Sequence, residues 1–217
     1  MNNTKKMTTT GLLCTLAYVV MLTKYIFPPL FSAFPFLQYD PKDAIIVIGG
    51  YIYGPLTAFV ISVIVSLLEM LTSSSTHIIG CFMNIAASCA FACVAAAVYS
   101  KYRSIKGGMV SLVIGSVCAI AMMMVLNYFV TPLYTGMPRQ AVAELLIPAI
   151  LPFNIVKCVL NSALVLLIYK PMTRILRRGG LLESTDSYSA RNSNVAVALS
   201  AVFMILICML ALWIVNR

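Results

Sequence analysis

The chain has 217 residues, 61% of them hydrophobic and 10% charged, with a mean hydropathy of +0.97 and a net charge of +9. That balance excludes an ordinary soluble domain and points to an all-α polytopic membrane protein embedded in lipid. In such a chain positive charge reports topology, so nucleic acid is not expected as a partner. The seven cysteines all fall in apolar runs, with no CxxC spacing and a single histidine, His77. They read as buried thiols, not as metal ligands or disulfides.

In chain order, apolar segments fall at about 7–27, 44–54, 55–72, 77–99, 109–131, 148–170 and 195–215. The first follows Lys5 and Lys6 as a signal peptide would. It runs past Lys24 to Phe27 with no small-residue cleavage site close behind, so it is expected to be an uncleaved span. Residues 28–43, PPLFSAFPFLQYDPKD, are stiffened by proline and carry Phe34, Phe36, Leu37 and Tyr39. Their composition fits a lid folded over the helices and fits an interfacial aromatic belt equally well.

The segment 44–54 is too short for a straight crossing, which needs about 20 residues, so a short or broken helix is predicted there. A glycine-rich turn around Gly49, Gly50 and Gly54 is expected to separate it from the next span. Such backbone is tolerated at membrane depth only where protein covers it or it lines a cavity. Glu69 falls near the end of the third segment, where it either snorkels to the interface or pairs with Lys157 or Lys42. The fourth segment is crowded with small residues (Ala86, Ala87, Ser88, Ala90, Ala92) that permit close helix approach, and it carries Asn84. The fifth ends with Asn127, Tyr128 and, just beyond, Tyr134.

The sixth segment holds Asn154, Lys157 and Asn161 at i, i+3 and i+7, one polar stripe on an otherwise apolar helix. If the helix starts at Pro148, Lys157 lies roughly 14 Å along it; if at Pro152, about 8 Å. An ammonium in hydrocarbon costs roughly 3 kcal/mol on insertion scales, so Lys157 must face protein or a wet pocket. Residues 179–194 form a polar Gly/Ser/Asn-rich linker, and 195–215 a plain apolar helix with Trp213.

With the N-terminus in the cytoplasm, ten Lys and Arg residues fall in inner loops, three fall outside, and Lys24 and Lys157 lie in or near spans. Residues 28–43, 72–77 and 132–147 are then outside. Asn84, Asn127, Asn154 and Lys157 converge on that side. Any single Asn is explained by hydrogen-bonded helix packing, whereas packing has no need of a buried cation. The chain lacks GxxxxGK[ST] and HExxH patterns, a Ser/His/Asp set and clustered carboxylates in its spans, so an enzyme is not expected. Amides, one ammonium and aromatic surface suit a small polar ligand with a flat ring system, with no cofactor implied.

Five stretches carry a family resemblance: FPPLFSAFPFLQYDPKDAIIVIGGYIYGP (27–55), VSLLEML (65–71), IGCFMNIAAS around Asn84, LNYFVTPLY (126–134) and LPFNIVK (151–157). Over about 1–175 the chain resembles the substrate-binding S components of energy-coupling-factor (ECF) transporters, specifically their riboflavin members. The resemblance implies a six-transmembrane-helix core over 1–175 in the cell membrane, with the chain adding a polar cytoplasmic linker at 176–194 and a seventh, C-terminal helix at 195–217. It implies high-affinity riboflavin capture at the outer face. Asn154 and Lys157 would hydrogen-bond the flavin, joined by Asn127 and by Leu37, Gln38 and Tyr39 closing over it, with Asn84, Glu69 and Tyr128 on the same side. The implied partners are a transmembrane T subunit and two ABC-type ATPases, which would hydrolyse ATP while the S component topples to release its cargo. S components generally offer a small-residue face on the first helix for the T subunit; the nearest equivalents here are Thr10/Cys14 and Gly11/Thr15. Two alternatives remain open: another vitamin or flavin analogue, and a structural or assembly membrane protein.

Overall fold

The computed structural model describes residues 3–25, 38–73, 77–181, 201–202 and 205, and among them every regular element is helical. Leu37, most of the loop 28–43, the bulk of the linker and nearly all of the expected seventh helix lie outside the described residues. Helix α1 (Asn3–Leu22) ends in a 3₁₀ turn at Thr23–Tyr25. It is followed by α2 (Lys42–Tyr53) and α3 (Pro55–Thr72). Next come α4 (His77–Ser88) and α5 (Val94–Lys101), joined through a π turn at Cys89–Cys93. Last are α6 (Ile105–Thr135), α7 (Arg139–Leu145) and α8 (Leu151–Arg178), the final two joined through a π turn at Leu146–Ile150. Among the described residues, five helical runs are long and apolar enough to cross a membrane. The short helix α2, about 18 Å long, is not among them.

Helix α2 is the centre of the bundle. Its sequence, rich in isoleucine, valine and glycine, has weak intrinsic helix preference. It is helical because packing overrides propensity: residues 42–50 are all buried, against α1, α3, α5 and α8. Gly49 and Gly50 were expected in the turn and are instead interior to α2; only Gly54, with φ of 94°, makes the reversal into Pro55. The physical reason is close approach. A Cβ on Gly50 would sit 2.8 Å from Ala96 Cβ of α5 and 3.0 Å from Ala58 Cβ of α3, so alanines of both neighbours press directly on the α2 backbone. Gly115 of α6 does the same against Phe91, whose carbonyl oxygen would lie 2.6 Å from an added Cβ.

The segment carrying Lys157 starts earlier than either proline suggested. Helical structure begins at Arg139, and the expected loop 132–147 shrinks to 136–138. Proline lacks an N–H and collides with the carbonyl four residues back, which would break an α-ladder at Pro148. The π turn over 146–150 widens the helix at that point and lets it continue. At the other end α8 runs to Arg178.

Gly115→Ala is expected to destabilise the bundle by about 1–3 kcal/mol through overpacking against a backbone carbonyl. Gly11→Ala, where nothing lies within 4 Å, should be neutral or slightly stabilising. Thermal unfolding in detergent compares the two; equal melting temperatures would remove the close-approach argument.

Candidate functional site

The site is built where the N-terminus of α2 meets the last turn of α3 and the middle of α8. Asp40 makes the turn into α2, accepting from the Lys42 backbone N–H at 3.0 Å. Asp43 falls in the first helical turn, where the helix dipole favours an anion. Lys42, in contrast, is a cation at a helix N-terminus and only 1% exposed. Two carboxylates offset that cost: Asp40 Oδ2 lies 2.7 Å from Lys42 Nζ, and Glu69 Oε2 also contacts it.

Glu69 is the hub. Its other oxygen receives Lys24 Nζ at 2.6 Å, which ties the end of α1 to the end of α3. Asn84 Nδ2 of α4 donates to Oε2 at 3.0 Å. The same α1–α3 seam is closed by Tyr18 Oη donating to Thr72 Oγ1 at 3.0 Å and by Tyr25 Oη donating to the Ser73 carbonyl at 2.9 Å. Glu69 is therefore not a snorkelling carboxylate. It is 5% exposed, because two lysines and an amide satisfy it inside the protein.

On the other side of α2, Asp43 Oδ2 pairs with Lys157 Nζ at 3.3 Å, and Ser88 Oγ donates to Asp43 Oδ1 at 2.5 Å. Asn161, one turn further along α8, donates from Nδ2 to the Asp40 carbonyl at 3.3 Å and accepts from Tyr39 Oη at 3.4 Å. Two members of the expected stripe, Lys157 and Asn161, thus bind the start of α2. The third, Asn154, is buried and donates from Nδ2 to the Ile150 carbonyl of its own helical run at 2.8 Å. Asn127 is likewise buried, donating to the Met123 carbonyl at 2.8 Å and accepting from Thr131 Oγ1 at 2.9 Å. Tyr128 lies edge-on to Phe129, with the Arg139 guanidinium 5.9 Å from its ring. Gln38 is exposed and Tyr39 half-buried, just before the turn into α2.

The cluster holds three lysines (Lys24, Lys42, Lys157) and three acids (Asp40, Asp43, Glu69), so its formal charge is zero. Clustered carboxylates were not expected here. Asp40 and Asp43 precede the apolar run of α2 and read as loop residues; the signal that could have found them is their spacing around Lys42 in DPKD. Of the three lysines, Lys157 keeps the most side-chain exposure, 18% against 9% for Lys24 and 1% for Lys42, and holds its acid at the longest distance. It is the most exposed of the three cations. Among the described residues no group of three His, Cys, Asp or Glu side chains is arranged to hold a metal ion.

Residues 5–169 match the family described as "ECF transporter, substrate-specific component". The chain is 28% identical over 184 residues to the riboflavin transporter RibU of Staphylococcus aureus, covering 82% of this chain and 95% of that one. It is 29% identical over 174 residues to the riboflavin transporter FmnP of Bacillus subtilis, covering 76% and 90% respectively. A solved structure described as the S component of a bacterial ECF transporter superposes with a TM-score of 0.68 at 29% identity, covering 82% of this chain and all of the other.

Glu69→Ala would strand Lys24 and Lys42 without their shared anion, and a loss of about 3–5 kcal/mol in stability is expected. Exposed Glu144→Gln serves as the control and should stay within about 0.5 kcal/mol. Equal thermal unfolding of the two variants would mean that Glu69 holds nothing together.

Proposed function

Because the chain belongs to the substrate-specific components of ECF transporters, we propose that it captures riboflavin at the outer membrane face as the specificity subunit of an ATP-driven importer. The observation that carries this reading is that relatives matched over 90% or more of their own length are riboflavin transporters. The site chemistry supports it. Riboflavin offers a flat apolar ring system, a pyrimidine edge of alternating N–H donors and carbonyl acceptors, and a polyhydroxyl tail. Buried amides complement the edge, and an ammonium donates to a carbonyl oxygen in a charge-assisted bond.

In this reading Lys157, Asn154 and Asn127 contact the flavin, Tyr128 adds ring surface, and the segment Leu37–Gln38–Tyr39 closes over it. Glu69 and Asn84 act behind them by holding Lys24 and Lys42. Positive charge concentrated at the opposite end of the bundle supports a cytoplasmic N-terminus. The core is a six-helix unit over 1–175 in which α2 counts as a crossing despite its length. Residues 176–194 form a linker, and 195–217 an accessory span outside the family match, which ends at residue 169. A T subunit and two ATPases supply docking and ATP hydrolysis, so this chain is a binding subunit and not an enzyme.

Flavin fluorescence titration of the detergent-purified chain, without partners, should show saturable quenching at about one riboflavin per chain. Lys157→Ala should weaken binding tenfold or more, about 1.4 kcal/mol, the scale of a charge-assisted hydrogen bond. Unchanged affinity in the folded variant would remove Lys157 from the site. Deleting 195–217 should leave affinity intact. Absence of quenching by folded, flavin-free protein would overturn riboflavin as the ligand while leaving the family membership in place.

A further inference from the structure

The end of the bundle away from Glu69 holds a second recess. Tyr51 at the end of α2 stacks on Tyr99 of α5 with ring centroids 4.1 Å apart, and Tyr169 of α8 stands edge-on to both, at 5.8 and 6.3 Å. The Tyr51 hydroxyl meets Ser111 Oγ at 2.5 Å, and Tyr99 meets Tyr169 hydroxyl to hydroxyl at 3.4 Å, so the rings are held in place. Beside them is a cavity of about 80 Å³, walled chiefly by the tyrosines with Ile105, Val165 and Leu166, and bordered by Lys170. Pockets for whole drug-sized ligands run to roughly 300 Å³ and above, so this one takes a short stretch of an acyl chain, not a second flavin.

Its surroundings are cationic. Lys101 lies two residues beyond Tyr99, Arg103 and Lys106 flank the Ser104–Ile105 wall, and Arg174 lies one turn beyond Lys170 on the same α8 face. Helix α6 also begins here, capped by Ser104 Oγ accepting from the Gly107 N–H at 2.9 Å, so its positive dipole end borders the recess. The four acids among the described residues all belong to the opposite end: Asp40, Asp43, Glu69 and Glu144. An apolar slot for part of an acyl chain, bordered by several cations and by no acid among the described residues, is complementary to an amphiphile with an anionic head.

We propose that this recess between α6 and α8 binds one anionic phospholipid of the inner leaflet, its acyl chain against Val165, Leu166 and Ile105 and its phosphate between Lys170 and Lys106. Basic pockets between spanning helices on the cytoplasmic side are suited to such head groups. The site is separate from the ligand cluster: Asp43 and Tyr51 are eight residues apart on α2, about 12 Å.

Native mass spectrometry of the full chain released from mild detergent, with phosphatidylglycerol or phosphatidylcholine of matched acyl chains, tests this. Wild type should retain one phosphatidylglycerol at least fivefold more than phosphatidylcholine. Lys106→Gln/Lys170→Gln should abolish that preference, whereas Lys5→Gln/Lys6→Gln, at the start of α1, should keep it. Leu166→Trp, at a half-buried position lining the slot, should reduce retention of both lipids. Equal retention of the two lipids by wild type, or an undiminished preference in the Lys106/Lys170 variant, would overturn the proposal. Riboflavin titration of the same variants should be unchanged, so failure here is distinguishable from failure of the riboflavin assignment.

Discussion

The structure depends on compensation of buried charge. Six ionisable side chains are gathered around the start of α2, and a single unpaired member would cost several kcal/mol away from water. The arrangement works because every charge has an opposite within reach and amides or hydroxyls take the remaining positions: Asn84 on Glu69, Ser88 on Asp43, Asn161 on the Asp40 carbonyl. The network joins α1, α2, α3, α4 and α8, so it fixes the relative placement of five helices at one end of the bundle. Apolar packing alone specifies this poorly in a membrane, where lipid tails compete with side chains on equal terms. The polar contacts therefore supply orientation, and the glycine and alanine contacts supply proximity.

Those two contributions differ along the length of α2. At its start, Asp40, Lys42 and Asp43 engage neighbours through ion pairs. In its middle, Gly49 and Gly50 let Ile61, Ala58 and Ala96 reach the backbone. At its end, Tyr51 enters an aromatic stack with Tyr99 and Tyr169. A helix of 12 residues with poor propensity is held by three different kinds of contact in succession.

Much of this was legible in the sequence. Hydropathy gave the long apolar runs directly, because lipid leaves a spanning chain little choice beyond the helix. The polar spacing of Asn154, Lys157 and Asn161 marked the face of α8 that meets protein, and Lys157 and Asn161 do bind across to the α2 start. The acids they meet were not legible. Asp40 and Asp43 sit in a proline-rich stretch whose composition reads as an outer loop, and only the tertiary fold turns that stretch inward. Glu69 was recognised as unusual, but its pairing with Lys24 joins residues 45 apart, which no local pattern encodes. The glycines of α2 were misassigned for a related reason: a turn and a close contact both demand a missing side chain, and sequence does not distinguish them.

The π turn at Leu146–Ile150 has a geometric consequence for the helix that follows. An α-helix advances about 100° per residue, so a turn that accommodates one additional residue rotates everything downstream by about that angle relative to an uninterrupted helix. Arg139–Leu145 and Leu151–Arg178 thus form one rod in two rotational phases. With the first phase carried through unbroken, Lys157 would be aimed about a quarter-turn away from Asp43. The widening at Pro148 thereby acts as an angular vernier: a one-residue change in the lead-in sets the azimuth of the whole polar face, with no change in any of the residues that make it up.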